Sequence, residues 1–135
     1  MKLVLDTNVV LDLLLNRAPF AEAAAAVFTR IESGLASACV CATTITTVHY
    51  LAHKTVGDQQ ARHHIQQLLT LLEVAPVTRA VIDRALRSPL SDFEGAVLAE
   101  SAHLAKAQAI ITRNGKDFQG GPLRIYTPQE WLAAN

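Results

Sequence analysis

The chain of 135 residues has only two cysteines, Cys39 and Cys41, and they do not stand in C-x-x-C spacing. Two positions apart in an apolar run, they point to one face of a strand, and a structural zinc site needs more ligands than they supply. They read as free, buried thiols with no functional message. Aromatic residues are also scarce: four Phe, two Tyr and one Trp, with no row of aromatics interleaved with basic side chains. That removes the basis for a stacking platform on single strands. Neither sign of charge is in excess, since twelve Lys and Arg balance twelve Asp and Glu. Any phosphate binding must therefore come from a local basic patch rather than from the field of the whole protein. No apolar run reaches the roughly 20 residues of a membrane span. The N-terminal KLVLDTNVVLDLLL is interrupted by Asp6, Asn8 and Asp12, which the core of a signal peptide would not tolerate. A cytoplasmic location and no membrane partner are expected.

What is present is enough apolar material for a core, half of all residues, in a chain of single-domain length. Lys2 to Leu5 reads as a buried strand, and from Asn8 the apolar residues Val9, Val10, Leu13 and Leu14 recur at helical spacing. Pro19 opens an alanine-rich helix that Gly34 closes. Ala36 to Ala42 is a second strand. The next helix is expected to be capped by Thr43 or Thr44 and to end at Gly57, with Asp58 capping the one after it. Leu72 to Val77 is strand-like, Thr78 to Leu86 helical, and a further helix starts near Phe93. Ala109 to Thr112 and Leu123 to Tyr126 are short strands around the loop NGKDFQGGP, and Pro128 begins a terminal helix. Strands alternating with helices indicate an α/β domain: one unit over 1–135, with a mostly parallel sheet between two helical layers.

In such a sheet, ligands bind beyond the carboxyl ends of the strands. Asp6 ends the first strand, Asp117 lies just past the fourth, and Asp92 and Glu94 begin the helix preceding that strand. Asp92 suits a helix N-cap as well as a metal ligand, and the two roles are compatible. Asp6 directly follows LVL, where a carboxylate is costly unless paired or bound to a cation; its alternative is to cap the helix at Asn8. Carboxylates clustered without thiolates select a hard ion, Mg²⁺ or Mn²⁺. Such an ion activates water and stabilises charge on a phosphodiester.

The segments DTNVVLDLLL, TRNGKDF and TPQEWL together resemble the PIN-domain family, and more narrowly the VapC-type toxins of toxin–antitoxin pairs. The likeness runs from Met1 to the last helix. It implies a five-stranded sheet and an acidic Mg²⁺ or Mn²⁺ site for endonucleolytic cleavage of RNA. It also implies a homodimer neutralised by a small antitoxin. Asp6 matches the first acidic ligand of the family and Asn8 its polar neighbour. The second acidic position falls on His49 and the third on Gly95, so that Asp92 and Glu94, just upstream, stand in. The last position is divided between Asn114 and Asp117, of which only Asp117 is charged. The implied metal set is thus Asp6, Asp92, Glu94 and Asp117, with Asp6, Asp92 and Asp117 catalytic. Asn8, His49, Arg113, Asn114 and Lys116 are the candidate contacts to RNA, the last three from one Gly-containing loop. Solvated loop charge is the other reading of Arg113 and Lys116.

Three rival readings compete with this one. His49 and His53 have the spacing of a zinc-peptidase helix, but the Glu that serves as general base is absent between them. A phosphatase D-x-D would need a second carboxyl where Asn8 stands. A non-catalytic PIN fold that binds RNA or protein is the third, motivated by His49 and Gly95. Asp12 reads as a helix-surface or helix-pairing residue.

Overall fold

The computed structural model describes residues 1–135. Five short strands, β1 (Lys2–Leu5), β2 (Ser37–Cys41), β3 (Glu73–Ala75), β4 (Ala109–Ile111) and β5 (Arg124–Tyr126), form one sheet in the order β3-β2-β1-β4-β5. Every neighbouring pair is parallel. The expected mostly parallel sheet is therefore wholly parallel. Seven helices cover it: α1 (Thr7–Leu14), α2 (Ala21–Glu32), α3 (Ala42–Val56), α4 (Asp58–Leu68), α5 (Arg79–Leu86), α6 (Phe93–Leu104) and α7 (Pro128–Ala134).

The side-chain alternation of the strands splits the interior into two layers. Leu3, Leu5, Val40 and Ile111 face α1, α2, α3 and α7, where Val9, Phe28, Val48 and Trp131 complete the packing. Val4, Cys39, Cys41 and Ile110 face α5 and α6, against Val81, Ala85, Val97 and Leu98. Both cysteines are free and buried, and burial pushes the Cys39 thiol up to about 11, so it stays protonated and inert. At the end of α4 and just beyond it, Leu68 and Leu72 are core while Leu69 is exposed. No helix is long and apolar enough to cross a membrane.

Two helix starts carry side-chain caps beyond those expected, and two others revise the expectation. Thr78 caps α5 through the Val81 N–H, and Thr127 forms a reciprocal capping box with Glu130. Cys41, not Thr43 or Thr44, occupies the N-cap of α3, without a side-chain bond. The strand runs directly into the helix there, so both threonines fall inside its first turn. Asp58 is the first residue of α4 rather than its cap; Gly57 takes the N-cap position at φ 85°, a left-handed conformation glycine tolerates. The Asp58 carboxylate instead accepts hydrogen bonds from Arg62 and pairs with His49. The alanine-rich helix starts at Ala21, two residues beyond Pro19.

With β1 at the centre, β2 and β3 on one side of it and β4 and β5 on the other, the switch point lies at the carboxyl ends of β1 and β4. The Asp6 N–H donates to the Ile111 carbonyl at 3.0 Å and ties these two ends together.

Candidate active site

A cleft of about 340 Å³ opens at that switch point. Asp6, Asp92, Glu94 and Asp117 all line it, as do Asn8, Arg113 and Asn114. The topology thus gathers the four carboxylates named from the sequence, which come from the end of β1, the first turn of α6 and the 3₁₀ turn Gly115–Phe118. His49 and Lys116 do not join them. Lys116 is exposed on the 3₁₀ turn. His49 faces α4, where its Nε2 lies 2.9 Å from Asp58 Oδ1, and it lines a separate groove with Ile45 and Ile65. From α3 the cleft receives Leu51.

Asp6 is the most constrained of the acids. Its Oδ1 accepts the Thr7 N–H at 2.8 Å, while its Oδ2 accepts the Thr112 hydroxyl at 2.7 Å and the Asn8 amide at 3.3 Å. The Thr112 oxygen in turn accepts the Asn114 N–H at 2.9 Å, which fixes the hydroxyl as donor toward Asp6. Asp6 therefore does cap α1, through its first N–H, and it still faces the cleft. A carboxylate has about four lone-pair sites, so three donors orient it and leave one direction open. Burial raises its pKa, opposed by the Thr112 and Thr7 hydrogen bonds and reinforced by the charges of Asp117 and Asp92. A half-buried carboxylate beside two others is an arrangement that a divalent cation relieves.

Asp92 likewise holds both of its expected positions. It is the N-cap of α6, its Oδ2 accepting the Gly95 N–H at 2.9 Å, and it lines the cleft. Gly95 makes this possible. A Cβ at residue 95 would lie 3.0 Å from Asp92 Oδ2 and 3.5 Å from the Phe118 ring. The missing side chain leaves space into which the Asp92 carboxylate and the buried Phe118 close.

Three contributors escaped the reading of the sequence. Thr112, expected as the end of a strand, opens the TRNGKDF motif and donates to Asp6. Arg17 lines the cleft and was assigned no role. Asp12, read as a surface or pairing residue, is 1% exposed and bonds both Arg17 and Arg113, at 2.9 and 2.7 Å. The signal was present: Asp12 stands three positions after the buried Val9, on the inward stripe of α1. Arg113 is correspondingly not a freely solvated loop charge, since it also lies over the Phe20 ring at 3.8 Å.

The donor set fits a hard cation. It is all oxygen, with no thiolate or imidazole in the cleft. No three acidic, His or Cys side chains are drawn tightly enough to chelate an ion directly. Mg²⁺ keeps several waters and commonly binds through one or two carboxylates, a mode this spread of acids matches.

A family model described as PIN domain matches residues 2–116. A search of curated proteins gave no match. Among solved structures, a toxin–antitoxin complex from Klebsiella pneumoniae is similar at TM-score 0.69 and 25% identity, over 93% of this chain and 96% of that one. DNA-bound VapBC from Salmonella typhimurium aligns at TM-score 0.72 and 18% identity, over 95% and 98%. VapC20 from Mycobacterium tuberculosis, described as a Sarcin-Ricin loop cleaving toxin, aligns at TM-score 0.66 and 15% identity, over 85% and 92%.

Proposed function

The chain belongs to the PIN-domain family, and from that premise we propose that its acidic cleft hydrolyses RNA phosphodiester bonds as a Mg²⁺- or Mn²⁺-dependent endoribonuclease. The observation that carries this reading is the convergence of Asp6, Asp92, Glu94 and Asp117 on one cleft at the switch point of a parallel sheet. Asp6, Asp92 and Asp117 would hold the cation in part through its retained waters, with Glu94 in support. When bound, the ion supplies Lewis acidity toward the phosphate and lowers the pKa of the attacking water. The chain's own part is placement. Thr7, Asn8 and Thr112 fix the Asp6 carboxylate, and the α6 N-terminus orients Asp92 through the Gly95 N–H. Asn114 and Arg113, at the cleft wall, contact the RNA backbone; Lys116 extends this contact from outside the cleft.

The neighbouring structures are toxin–antitoxin complexes, which supports a role as the toxin-like member of such a pair, acting as a cytoplasmic homodimer under a small antitoxin. Purified protein is expected to cut single-stranded RNA when Mn²⁺ is added. Asp6→Asn is expected to lower the rate by about 100-fold or more; equal cutting by that variant overturns the reading.

A second reading, a PIN fold retained as an RNA- or protein-binding module, is favoured by one observation: the acids are not close enough for direct chelation by three side chains. Calorimetric titration with Mn²⁺ separates the two. Saturable binding that Asp6→Asn removes supports the nuclease, and no heat of binding supports the module.

A further inference from the structure

The cleft has a basic wall as well as an acidic one. We propose, on the premise that the cleft cleaves RNA, that Arg17 and Arg113 form a rigid clamp for one backbone phosphate, with Asp12 as the positioning residue that holds both. The charge count is the first reason. Asp12 is buried, and a buried carboxylate needs a cationic partner. One guanidinium would satisfy that need. Two are present, so the trio carries one surplus positive charge at the mouth of an otherwise acidic cleft.

Geometry is the second reason. Both arginines engage Asp12 through Nε and Nη2. Arg17 Nε lies 2.9 Å from Oδ1, while Arg113 Nε and Nη2 lie 2.7 and 3.2 Å from Oδ2 and Oδ1. Arg17 Nη2 also donates to the Asn8 carbonyl at 3.2 Å. The Nη1 group of each guanidinium has no partner within the chain, and both residues line the cleft. Phe20 beneath Arg113 sets the plane of that guanidinium. Two guanidinium planes fixed in this way on one carboxylate can each present Nη1 donors to the oxygens of one phosphate.

Asn8 joins the two walls. Its side-chain amide donates to Asp6 Oδ2, its Oδ1 accepts the Arg113 N–H at 3.3 Å, and its carbonyl accepts from Arg17. A phosphate seated on the arginines is therefore in fixed register with the carboxylates. The substrate feature recognised is a phosphodiester oxygen rather than a base, so the clamp contributes position and affinity and no sequence preference.

The test is binding of a fluorescently labelled single-stranded RNA to the full chain in EDTA, followed by anisotropy over a series of KCl concentrations. Arg17→Gln leaves Asp12 paired with Arg113 and so keeps the fold, which circular dichroism checks. It is expected to weaken binding several-fold and to reduce the slope of log affinity against log salt by about 0.7, one phosphate contact on a single strand. Arg17→Lys is expected to restore the slope but not the affinity, because an ammonium cannot reproduce the held fork. Lys106→Gln, at the opposite end of β4, serves as the control and should change neither. An unchanged slope in Arg17→Gln, full restoration of affinity by lysine, or no RNA binding by the unmodified chain overturns the clamp. Mn²⁺-dependent cleavage is measured separately. Cleavage without the expected binding changes removes the clamp alone, and the binding changes without cleavage remove the nuclease reading alone.

Discussion

Helices α3 and α6 both border the cleft, and they contribute opposite things to it. From α6 the cleft receives Asp92 and Glu94 in the first turn, where free N–H groups and the positive end of the dipole favour carboxylates. From α3 it receives Leu51, an apolar side chain. Elsewhere α3 touches this region through Thr44, whose hydroxyl lies 3.4 Å from that of Thr7. The difference shows that the strand-end position of a helix does not make it a ligand donor. What matters is which residue falls on the facing stripe. His49 and Leu51 are two positions apart, about 200° around a helix of 3.6 residues per turn. The one turned to the cleft therefore excludes the other.

Breaking the α6 and β1 side should have the largest effect, the loss of about 100-fold or more in cleavage expected for Asp6→Asn. Sharpening the α3 side comes next. Leu51→Glu would place a fifth carboxylate on the cleft, and Mn²⁺ affinity measured by calorimetry is expected to rise by about 10-fold, since charge count tunes such sites. His49→Glu should leave that affinity unchanged, because its side chain faces α4. It would also set a carboxylate against Asp58, 2.9 Å from the present imidazole nitrogen, and so lower the melting temperature. A gain in Mn²⁺ affinity from His49→Glu and none from Leu51→Glu would reverse the assignment of the two faces.

Gly95→Ala tests the α6 side more gently. The added Cβ would stand 3.0 Å from Asp92 Oδ2, so the carboxylate must move and its bond to the Gly95 N–H weakens. Loss of a cap costs about 0.5–2 kcal/mol, while replacing Gly by Ala inside a helix returns about 0.5–1 kcal/mol. Stability should stay within about 1 kcal/mol of the parent, yet Mn²⁺ affinity should fall several-fold. An unchanged affinity would show that Asp92 serves α6 alone.

The strands and the acidic positions were legible because each is a local statement. Apolar runs of the right length mark β1, β2 and β4, and Asp6 and Asp117 are recognisable by where those runs stop. Strand–helix alternation announced a mostly parallel sheet, while its wholly parallel pairing and strand order come from the fold. The basic wall was not legible, because it is made by contacts between distant parts of the chain. Asp12 and Arg113 are 101 positions apart, and nothing in the local sequence of either names its partner. The caps of α3 and α4 failed for a different reason. Thr43 and Asp58 have the right chemistry for capping, but β2 runs into α3 without a connecting residue and Gly57 already makes the turn into α4. The room at Gly95 is likewise a three-dimensional fact. Its sequence shows only a missing carboxylate, whereas the fold shows Asp92 and Phe118 closed into the vacated space.

The smallest effect is one of pH, and it too separates the cleft from the α3–α4 side, where Asp58 pairs with His49. Burial raises the Asp6 pKa above its ordinary 3.8, and the nearby Asp117 and Asp92 charges add to this while hydrogen bonds from Thr112 and Thr7 oppose it. The folded chain therefore keeps the Asp6 proton to higher pH than the unfolded chain does. Below the ordinary value both states are protonated and the residue has no effect on the folding equilibrium. As pH climbs from there through the raised folded value, the unfolded state deprotonates first and stability declines; above that value the penalty is constant. In EDTA, urea denaturation at a series of pH values should show the parent losing stability relative to Asp6→Asn across this window. The gap should level off near neutrality. Saturating Mn²⁺ at neutral pH should narrow it, because the cation favours the ionised carboxylate. Asp58, whose pKa is lowered by Arg62 and His49, has the opposite sign: its small contribution is present above the ordinary carboxylate value and is lost as pH falls through its folded value. A gap between parent and Asp6→Asn that does not vary with pH would mean that Asp6 is not held in an unfavourable, cation-deficient environment, and the acidic wall would lose its strongest electrostatic support.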